Sequence, residues 1–336
     1  MTLIGTTLSQ RSVMVAGLLS LTAGLAGCGG GTSQSASASS SNTLTFVSQI
    51  MNWYAEPEMG GQYNAQIKGY YKNLGLSMTT HQGSPQESPV ELVASGKDTF
   101  GMAGADSILL ARQQGIPVVA LFAVFQTDPQ ILIWHKGSGI HGFHDLSGHP
   151  VYVSAGSDYW TYITKKYHLT NIQQRAYNGT LTSFIHDPRA VIQGYIMSEP
   201  FTLKQSHVSV NYELTANSGF NPYQNVMFTT ETEIKNHPKV VAAFVKASLK
   251  GWHNYFQNPK PANSFMKTKN PTQTSASMIY AVNNEKSLIL GGAARQHGLG
   301  YMSTKRWQQL DRQMIHLGML KSGFSEKGAF TNSFLP

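Results

Sequence analysis

Four aromatic side chains and one carboxylate stand where predicted strands end and the chain turns into a loop or a helix. An indole or phenol ring at such a place offers a flat apolar face to a planar ligand. A carboxylate offers acceptor oxygens to N–H donors. Ligands of open α/β sheets bind outside the carboxyl ends of the strands, so these positions predict a small-molecule site. The five residues are Trp53, Tyr159, Trp160, Tyr177 and Glu199.

Smaller residues at equivalent strand ends add polar groups and backbone donors to the predicted site. Gly60 and Gly61 open a predicted helix, where glycine lets backbone approach a ligand and free N–H groups attract acceptors. A plain helix-entry turn explains these two glycines equally well. Asp106 either contacts ligand or only caps the helix that runs through Arg112. This second group consists of Asn52, Gly60, Gly61, Gln82, Ala105, Asp106 and Ser154.

The predicted place of Glu199 in the site limits which ligand charges the site can accept. An acidic residue at a strand end, followed by Pro200, is not explained well by packing in a core. A site for sulfonate or nitrate needs N–H donors and positive potential, and a buried carboxylate opposes an anion at short range. The aromatic residues and Glu199 together favour a flat heterocycle that is neutral or carries N–H donors.

The sequence does not contain the common motifs of enzyme active sites. No G-x-S-x-G motif of a serine hydrolase occurs, and the single cysteine, Cys28, excludes a Cys–His pair if it is acylated. Gly137-Ser-Gly139 lacks the context of a phosphate-binding loop. His141 and His144 lie in a Gly-rich loop without a third candidate ligand. The sequence therefore predicts no enzyme activity, no cofactor and no metal.

The N-terminus has the pattern of an export signal. Arg11 precedes an apolar run from Val13 to Leu25, which is shorter than the ~20 residues of a membrane-spanning helix. The run ends in Leu-Ala-Gly-Cys28, which resembles the lipobox of bacterial lipoproteins. We therefore predict a signal peptide over 1–27, acylation of Cys28, and a flexible Ser/Ala/Gly tether over 28–42. The folded part would then be held at a membrane by its lipid.

The charge balance is basic but does not indicate a nucleic-acid partner. The chain has 25 Lys and Arg against 17 Asp and Glu, a formal net charge of +8. Removal of Arg11 with the signal peptide lowers this by one. The basic residues are scattered along the chain rather than gathered in a run, so the charge is interpreted as general surface charge.

Strands and helices alternate along the mature chain, which predicts α/β layers. Val118 to Phe125 and Ile131 to Trp134 are apolar strands, and Ser88-Pro89-Val90-Glu91 is a helix start. A strand over Asn225–Thr229 returns to the first layer. Val241, Phe244, Val245 and Trp252 mark one face of a long helix.

The mature chain exceeds the ~250–300 residues that one hydrophobic core usually serves, so two lobes are expected. We predict lobe one over 43–130 and 229–336, and lobe two over 131–228. Two crossovers would then form a double hinge, around which the lobes close on a ligand.

Several short stretches, in their order, resemble the substrate-binding proteins of the sulfonate-binding and thiamine-pyrimidine-synthase-like superfamily. The likeness covers nearly all of residues 43–336. The stretches are Asn52-Trp53, Glu56-Pro-Glu-Met-Gly-Gly-Gln-Tyr63, Gly69-Tyr-Tyr-Lys-Asn-Leu-Gly-Leu76, Leu92-Val-Ala-Ser-Gly-Lys97, Phe100-Gly101, Gly115-Ile-Pro-Val118, Phe125-Gln126, Asp145-Leu-Ser-Gly148 and Gly194-Tyr-Ile-Met-Ser-Glu-Pro200.

The resemblance implies a type II periplasmic-binding fold and delivery of a ligand to the permease and ATPase subunits of an ABC importer. Ligands within the superfamily include sulfonates, nitrate, pyrimidine precursors of thiamine, and flavins. Members that bind aminopyrimidines resemble this chain at Gly194-Tyr-x-x-x-Glu-Pro200, which favours a thiamine pyrimidine precursor first and a flavin second. A pyrimidine synthase shares the fold but carries a cysteine-rich motif, which is absent here.

Overall fold

The computed structural model describes residues 43–84 and 86–336. The predicted signal peptide over 1–27, the lipidation site Cys28 and the tether over 28–42 lie outside the described residues and stay predictions. Within the described ranges, no helix combines the length and the apolar character needed to cross a membrane.

The first sheet has five strands, of which four run parallel and the fourth in spatial order runs antiparallel. One edge strand, Val118–Phe125, is buried along its whole length under helices, which explains its unbroken apolar run. In spatial order the strands are β2 (Leu76–His81), β1 (Thr45–Ile50), β3 (Phe100–Ala103), β10 (Gln224–Thr230) and β4 (Val118–Phe125).

Helices on both faces of this sheet come from the beginning and the end of the chain. The longest, α9 (Pro238–Tyr255), buries Phe244 against Phe100 with ring centroids 3.7 Å apart. Ser88 and Ser303 accept hydrogen bonds as helix N-caps, and the sequence analysis predicts the helix start at Ser88. The helices are α1 (Gly60–Ile67), α2 (Tyr70–Asn73), α3 (Pro89–Ala94), α4 (Ala105–Gln113), α8 (Glu231–Asn236), α9 (Pro238–Tyr255), α10 (Lys260–Lys269), α11 (Ser275–Ile289), α12 (Ala294–His297) and α13 (Thr304–Leu317).

The second sheet also has five strands and is built from the middle of the chain. Its three helices are α5 (Asp158–Lys166), α6 (Thr182–His186) and α7 (Glu199–Gln205). Its strands, in spatial order, are β7 (Gln173–Ala176), β6 (Pro150–Val153), β8 (Val191–Tyr195), β5 (Gln130–His135) and β9 (Val210–Leu214). The α/β alternation predicted from the sequence is confirmed.

The chain passes between the sheets twice, after β4 and again before β10. The predicted strand over Asn225–Thr229 does return to the first sheet, where β10 pairs with β3 and β4. The predicted end of lobe two at residue 228 is therefore wrong, because hydrogen bonding places β10 from Gln224 onward in the first sheet. A hydropathy pattern cannot tell which sheet a buried strand joins, since both offer the same apolar surroundings.

One arginine ties the two crossover segments together. The Arg306 guanidinium donates hydrogen bonds to the backbone carbonyls of Gln126, Asn221 and Pro222. The side chain of Asn221 in turn accepts the Asp128 N–H at 2.8 Å. Both connections between the sheets are thus held against α13, and this geometry defines the hinge region.

Candidate functional site

A cavity of about 340 Å³ lies between the carboxyl ends of the two sheets. Its walls come from α4 on the first sheet, from α5 and β8 on the second, and from both crossovers. A neighbouring cavity of about 280 Å³ shares Asp106, Ser107 and Gln224 with it. The larger cavity thus lies at the sheet edge where the sequence analysis predicts a site.

Glu199 is held by donors from the second sheet. Its Oε2 accepts the backbone N–H of Tyr195 at 2.6 Å and the Ser198 hydroxyl, and its Oε1 accepts the Tyr177 hydroxyl at 3.4 Å. Burial raises the pKa of Glu199 above its ordinary value, although these hydrogen bonds oppose the shift. The arrangement fixes the carboxyl group in one orientation.

Glu56 of the first sheet stands near the Glu199 carboxyl group. Burial, and then the charge of Glu199, raise the pKa of Glu56 from 4.5 to about 7. The Asn270 amide donates to Glu56 Oε1 at 3.4 Å. The two sheets therefore bring two carboxyl groups into electrostatic contact, and one of them binds a proton near neutral pH.

The local structure at Glu199 differs from the prediction. The residue does not end a strand, because β8 stops at Tyr195 and Glu199 is the first residue of α7. Gly194 makes room for its side chain, since a Cβ atom there would lie 2.8 Å from Glu199 Oε2 and 2.9 Å from its Cβ. The close approach of these two residues explains the glycine at this strand end.

Replacement of Gly194 by alanine is expected to displace the Glu199 carboxyl group and weaken ligand binding by about 10-fold. This corresponds to the loss of one polar contact worth ~1.4 kcal/mol. Isothermal titration measures the change. Glu199→Gln serves as the comparison, because it keeps the side-chain volume but removes the charge. Binding by Gly194→Ala as tight as by the natural chain would contradict this role.

Tyr159 and Ser154 share one acceptor in the larger cavity. Gln193 Oε1 accepts the Tyr159 hydroxyl at 2.8 Å and the Ser154 N–H at 2.5 Å. Gln193 was not identified from the sequence. Its position in β8, next to Gly194, is the only local signal, and a polar residue in a short strand is too common to indicate a site.

Asn52, Trp53 and Gln82 lie in the loops that follow β1 and β2. The Asn52 amide donates to Asn225 Oδ1 at 3.0 Å, and Asn52 lines the smaller cavity. Trp53 is half-buried and makes an edge contact with Tyr54 at 5.4 Å between ring centroids. Gln82 accepts the N–H of Ala55 at 3.3 Å, so its carbonyl oxygen braces the neighbouring loop.

Trp160 does not face the cleft, contrary to the sequence prediction. Its side chain is 3% exposed and packs in the core of the second sheet with Phe143 and Ile163. The indole N–H donates to Gln174 Oε1 at 3.0 Å. On α5, adjacent residues point about 100° apart, so Tyr159 and Trp160 cannot both face the cavity.

Gly60 and Gly61 serve helix packing instead of ligand approach. A Cβ atom on Gly60 would lie 2.2 Å from the Tyr255 ring, and one on Gly61 would lie 2.1 Å from the Trp252 indole. Both aromatic residues belong to α9. The glycines thus let α1 and α9 come close together, which corrects their predicted role.

Ala105 is also not available to a ligand through its backbone. It is fully buried, and its N–H donates to the carbonyl of Tyr223 at 2.9 Å. The N-cap of α4 is Gly104, without a side-chain capping bond, so the capping role considered for Asp106 is not observed. Asp106 instead lines both cavities.

Two curated proteins match this chain over most of its length. The riboflavin-binding protein RibY of Chloroflexus aurantiacus is 28% identical over 309 residues, which cover 88% of this chain and 87% of that protein. The formylaminopyrimidine-binding protein of Halalkalibacterium halodurans is 24% identical over 319 residues, covering 90% of this chain and 92% of that protein.

Solved structures support the fold. The periplasmic aliphatic sulphonate binding protein SsuA from Escherichia coli superposes with a TM-score of 0.64 at 11% identity, covering 84% of this chain and 91% of that one. At this identity the likeness concerns the fold alone. The predicted two-lobed α/β fold of type II periplasmic-binding proteins is confirmed.

A family model described as "NMT1/THI5 like" matches residues 56–262. The matched range begins at Glu56 and includes the cavity residues of α4, α5 and β8 as well as both crossovers. It covers more than half of the chain. The chain therefore belongs to the NMT1/THI5-like family.

Proposed function

We propose that this chain is an extracytoplasmic solute-binding protein that delivers a small planar heterocycle to an ABC importer, and that it is not an enzyme. The observation that carries the proposal is Glu199, which three donors of the second sheet hold in one orientation and whose charge acts on Glu56 of the other lobe. A carboxylate accepts about four hydrogen bonds, so Glu199 retains capacity for one N–H donor of a ligand.

The charge of the cleft supports a heterocycle over an anion. Carboxyl groups of Asp106, Asp128 and Asp158 line the larger cavity, and those of Glu56 and Glu199 come close to each other from the two sides of the molecule. A sulfonate ~4 Å from one ionised carboxylate would meet a repulsion of about 4 kcal/mol at an effective dielectric constant of 20. This chain shares its fold with sulphonate-binding SsuA, but its site would disfavour anions and favour neutral or N–H-donating ligands.

The whole-length relatives support the choice of ligand class. Their names state riboflavin and formylaminopyrimidine, which are both flat, nitrogen-rich ring systems. We favour a thiamine pyrimidine precursor, with a flavin second, because a small pyrimidine matches a cavity of about 340 Å³ better than a three-ring flavin does.

The place of action and the partners follow from the same proposal. Cys28 would carry the lipid that holds the protein on the outer side of a membrane, with residues 28–42 as the tether. The permease and ATPase subunits of the importer would be its partners. A synthase activity is not proposed, because the chain has a single cysteine and that cysteine is assigned to the anchor.

A melting-temperature panel tests the proposal. A ligand present at 100 times its dissociation constant adds about 2.7 kcal/mol to the free energy of unfolding. We expect aminopyrimidines or riboflavin to raise the melting temperature, and taurine, alkanesulfonates and nitrate to leave it unchanged. Glu199→Gln and Trp53→Ala should reduce the response without unfolding the protein. A response to sulfonates alone would overturn the heterocycle assignment.

A further inference from the structure

Two carboxyl groups from opposite sheets meet in the wall of the larger cavity, where they bond to each other. Asp106 lies in the first turn of α4, on the first sheet, and Asp158 is the first residue of α5, on the second. Both line the cavity, and Asp128 of the first crossover lines it beside them. The three carboxyl groups thus converge on one space from three separate parts of the chain.

Asp106 and Asp158 bond to each other but have few other donors. Asp158 is 9% exposed, and apart from Asp106 its Oδ2 has no hydrogen-bond partner among the residues the structure describes. The same holds within residues 43–84 and 86–336 for Asp106 Oδ1. An unsatisfied buried carboxylate oxygen costs ~1–3 kcal/mol or more. Such a cost is common at binding sites, where the ligand supplies the missing donor.

Nearby cations do not neutralise the pair. The charge of Arg306 lowers the pKa of Asp128, but the Arg306 guanidinium donates its hydrogen bonds to three backbone carbonyls of the crossover segments. No ion pair within the described part of the chain includes Asp106 or Asp158. The cavity therefore favours a ligand group that carries positive charge or N–H donors.

The remaining walls suit a small organic cation. Gln130, Gln193 and Gln224 contribute amides, while Tyr159 and Phe220 contribute aromatic surface. A primary ammonium group has three N–H donors and no acceptor, so it can donate to more than one of these carboxyl groups. A metal ion is a weaker fit, because no cluster of metal-ligand type is found in the described ranges.

We propose that Asp106, Asp158 and Asp128 form a subsite for an ammonium group carried by the ligand. The proposal rests on the function proposed above and narrows it to basic, aminoalkyl-substituted heterocycles in preference to flavins. The ring would lie toward Tyr159, and the ammonium group would take the place of a proton shared by the carboxyl groups.

The titration of the cavity supports this exchange. Burial first, and then the charge of Asp106, raise the pKa of Asp158, and burial also raises the pKa of Asp106. Burial raises the pKa of Asp128 to about 7, with Arg306 opposing the shift. An ammonium group binds the ionised carboxylates, so its affinity should rise with pH through neutrality.

A matched pair of pyrimidines tests the subsite. One is 4-amino-5-hydroxymethyl-2-methylpyrimidine, and the other carries an aminomethyl group, which is cationic, in place of the hydroxymethyl group. Isothermal titration of the full chain at pH 6, 7 and 8 gives the affinity for each. We expect the amine to bind at least about 10-fold tighter at pH 7, and this ratio to increase between pH 6 and pH 7.

Isosteric variants assign the preference to the carboxyl pair. Asp158→Asn and Asp106→Asn should each lower the affinity for the amine by about 10-fold more than the affinity for the hydroxymethyl compound, since one charge-assisted bond is lost. Glu91→Gln is the control, because Glu91 is an exposed carboxylate in the first turn of α3. Circular dichroism checks the fold of each variant.

The outcomes separate the two proposals. Equal binding of both pyrimidines, unaffected by either Asp→Asn change, overturns the ammonium subsite but leaves the heterocycle-binding function standing. A preference for the amine that persists in both variants also overturns the subsite. Failure of both pyrimidines and of riboflavin to bind overturns the proposed function and, with it, the subsite.

Discussion

The Gly61→Ala variant is expected to unfold about 3 kcal/mol more easily than the natural chain, at the upper end for an overpacked core. A Cβ atom at this position would lie 2.1 Å from Cγ of Trp252, whose side chain is fully buried. On the opposite helix, a Cβ on Gly251 would lie 2.2 Å from the Gly61 carbonyl oxygen. Neither α1 nor α9 can move away without separating the core between them.

The sign of this effect makes the test sharp. In an open helix, alanine is more favourable than glycine by ~1 kcal/mol, so a free position would show stabilisation. Chemical denaturation measures the free energy of unfolding. In a Trp252→Ala background the clash is gone, and Gly61→Ala should then be neutral or stabilising. Additive effects of the two changes would contradict direct contact between Gly61 and Trp252.

The second large effect is the dependence of stability on pH. Burial raises the pKa of Asp128 from 3.8 to about 7, and burial with the charge of Glu199 raises that of Glu56 from 4.5 to about 7. Burial also raises the pKa values of Glu58 and Glu285 well above their ordinary range. In the unfolded chain all four lose their protons at lower pH.

The direction follows from proton binding. Between the ordinary pKa values and those in the folded state, the folded protein holds more protons, so its stability falls as pH rises. The stability is fully present near pH 4 and is lost as pH rises through about 7. Asp128, which is 2% exposed, accounts for roughly 4 kcal/mol of this loss, because its pKa rises from 3.8 to about 7 and each pKa unit corresponds to ~1.4 kcal/mol.

Urea denaturation at pH 5, 7 and 9, without ligand, measures this dependence. Asp128→Asn should flatten the curve, because the amide keeps the oxygen that accepts the Gln130 N–H but does not titrate. Glu91→Gln should leave it unchanged. A free energy of unfolding that increases from pH 5 to pH 9 would show that these carboxyl groups are ionised without cost in the folded protein.

Local patterns in the sequence predict many elements of the fold. The apolar run Val118–Phe125 forms β4 over the same residues, and the cap at Ser88 and the proline after it begin α3. Val241, Phe244 and Trp252 form the buried face of α9, as their spacing predicts. Each of these features depends on neighbours within a few residues, which a sequence displays directly.

The composition of the site is less accessible to such patterns. Asp106 and Tyr159, which line the larger cavity, were predicted from strand ends. Asp158 was passed over, because a first-turn acid at a helix start is explained well enough by the helix dipole. Its meaning appears only when Asp106 is seen opposite it, more than 50 residues away along the chain.

The sequence by itself determined the alternation of strands and helices and the strand ends that border a cleft, and it predicts the N-terminal sorting signal. The tertiary structure alone decided that β10 enters the first sheet already at Gln224, that Trp160 packs in a core, that Gly60 and Gly61 fit against α9, and that Asp106, Asp128 and Asp158 line one cavity. The reason is physical: periodicity and capping are properties of adjacent residues, whereas burial and charge at the site arise from segments that meet only when both crossovers have folded.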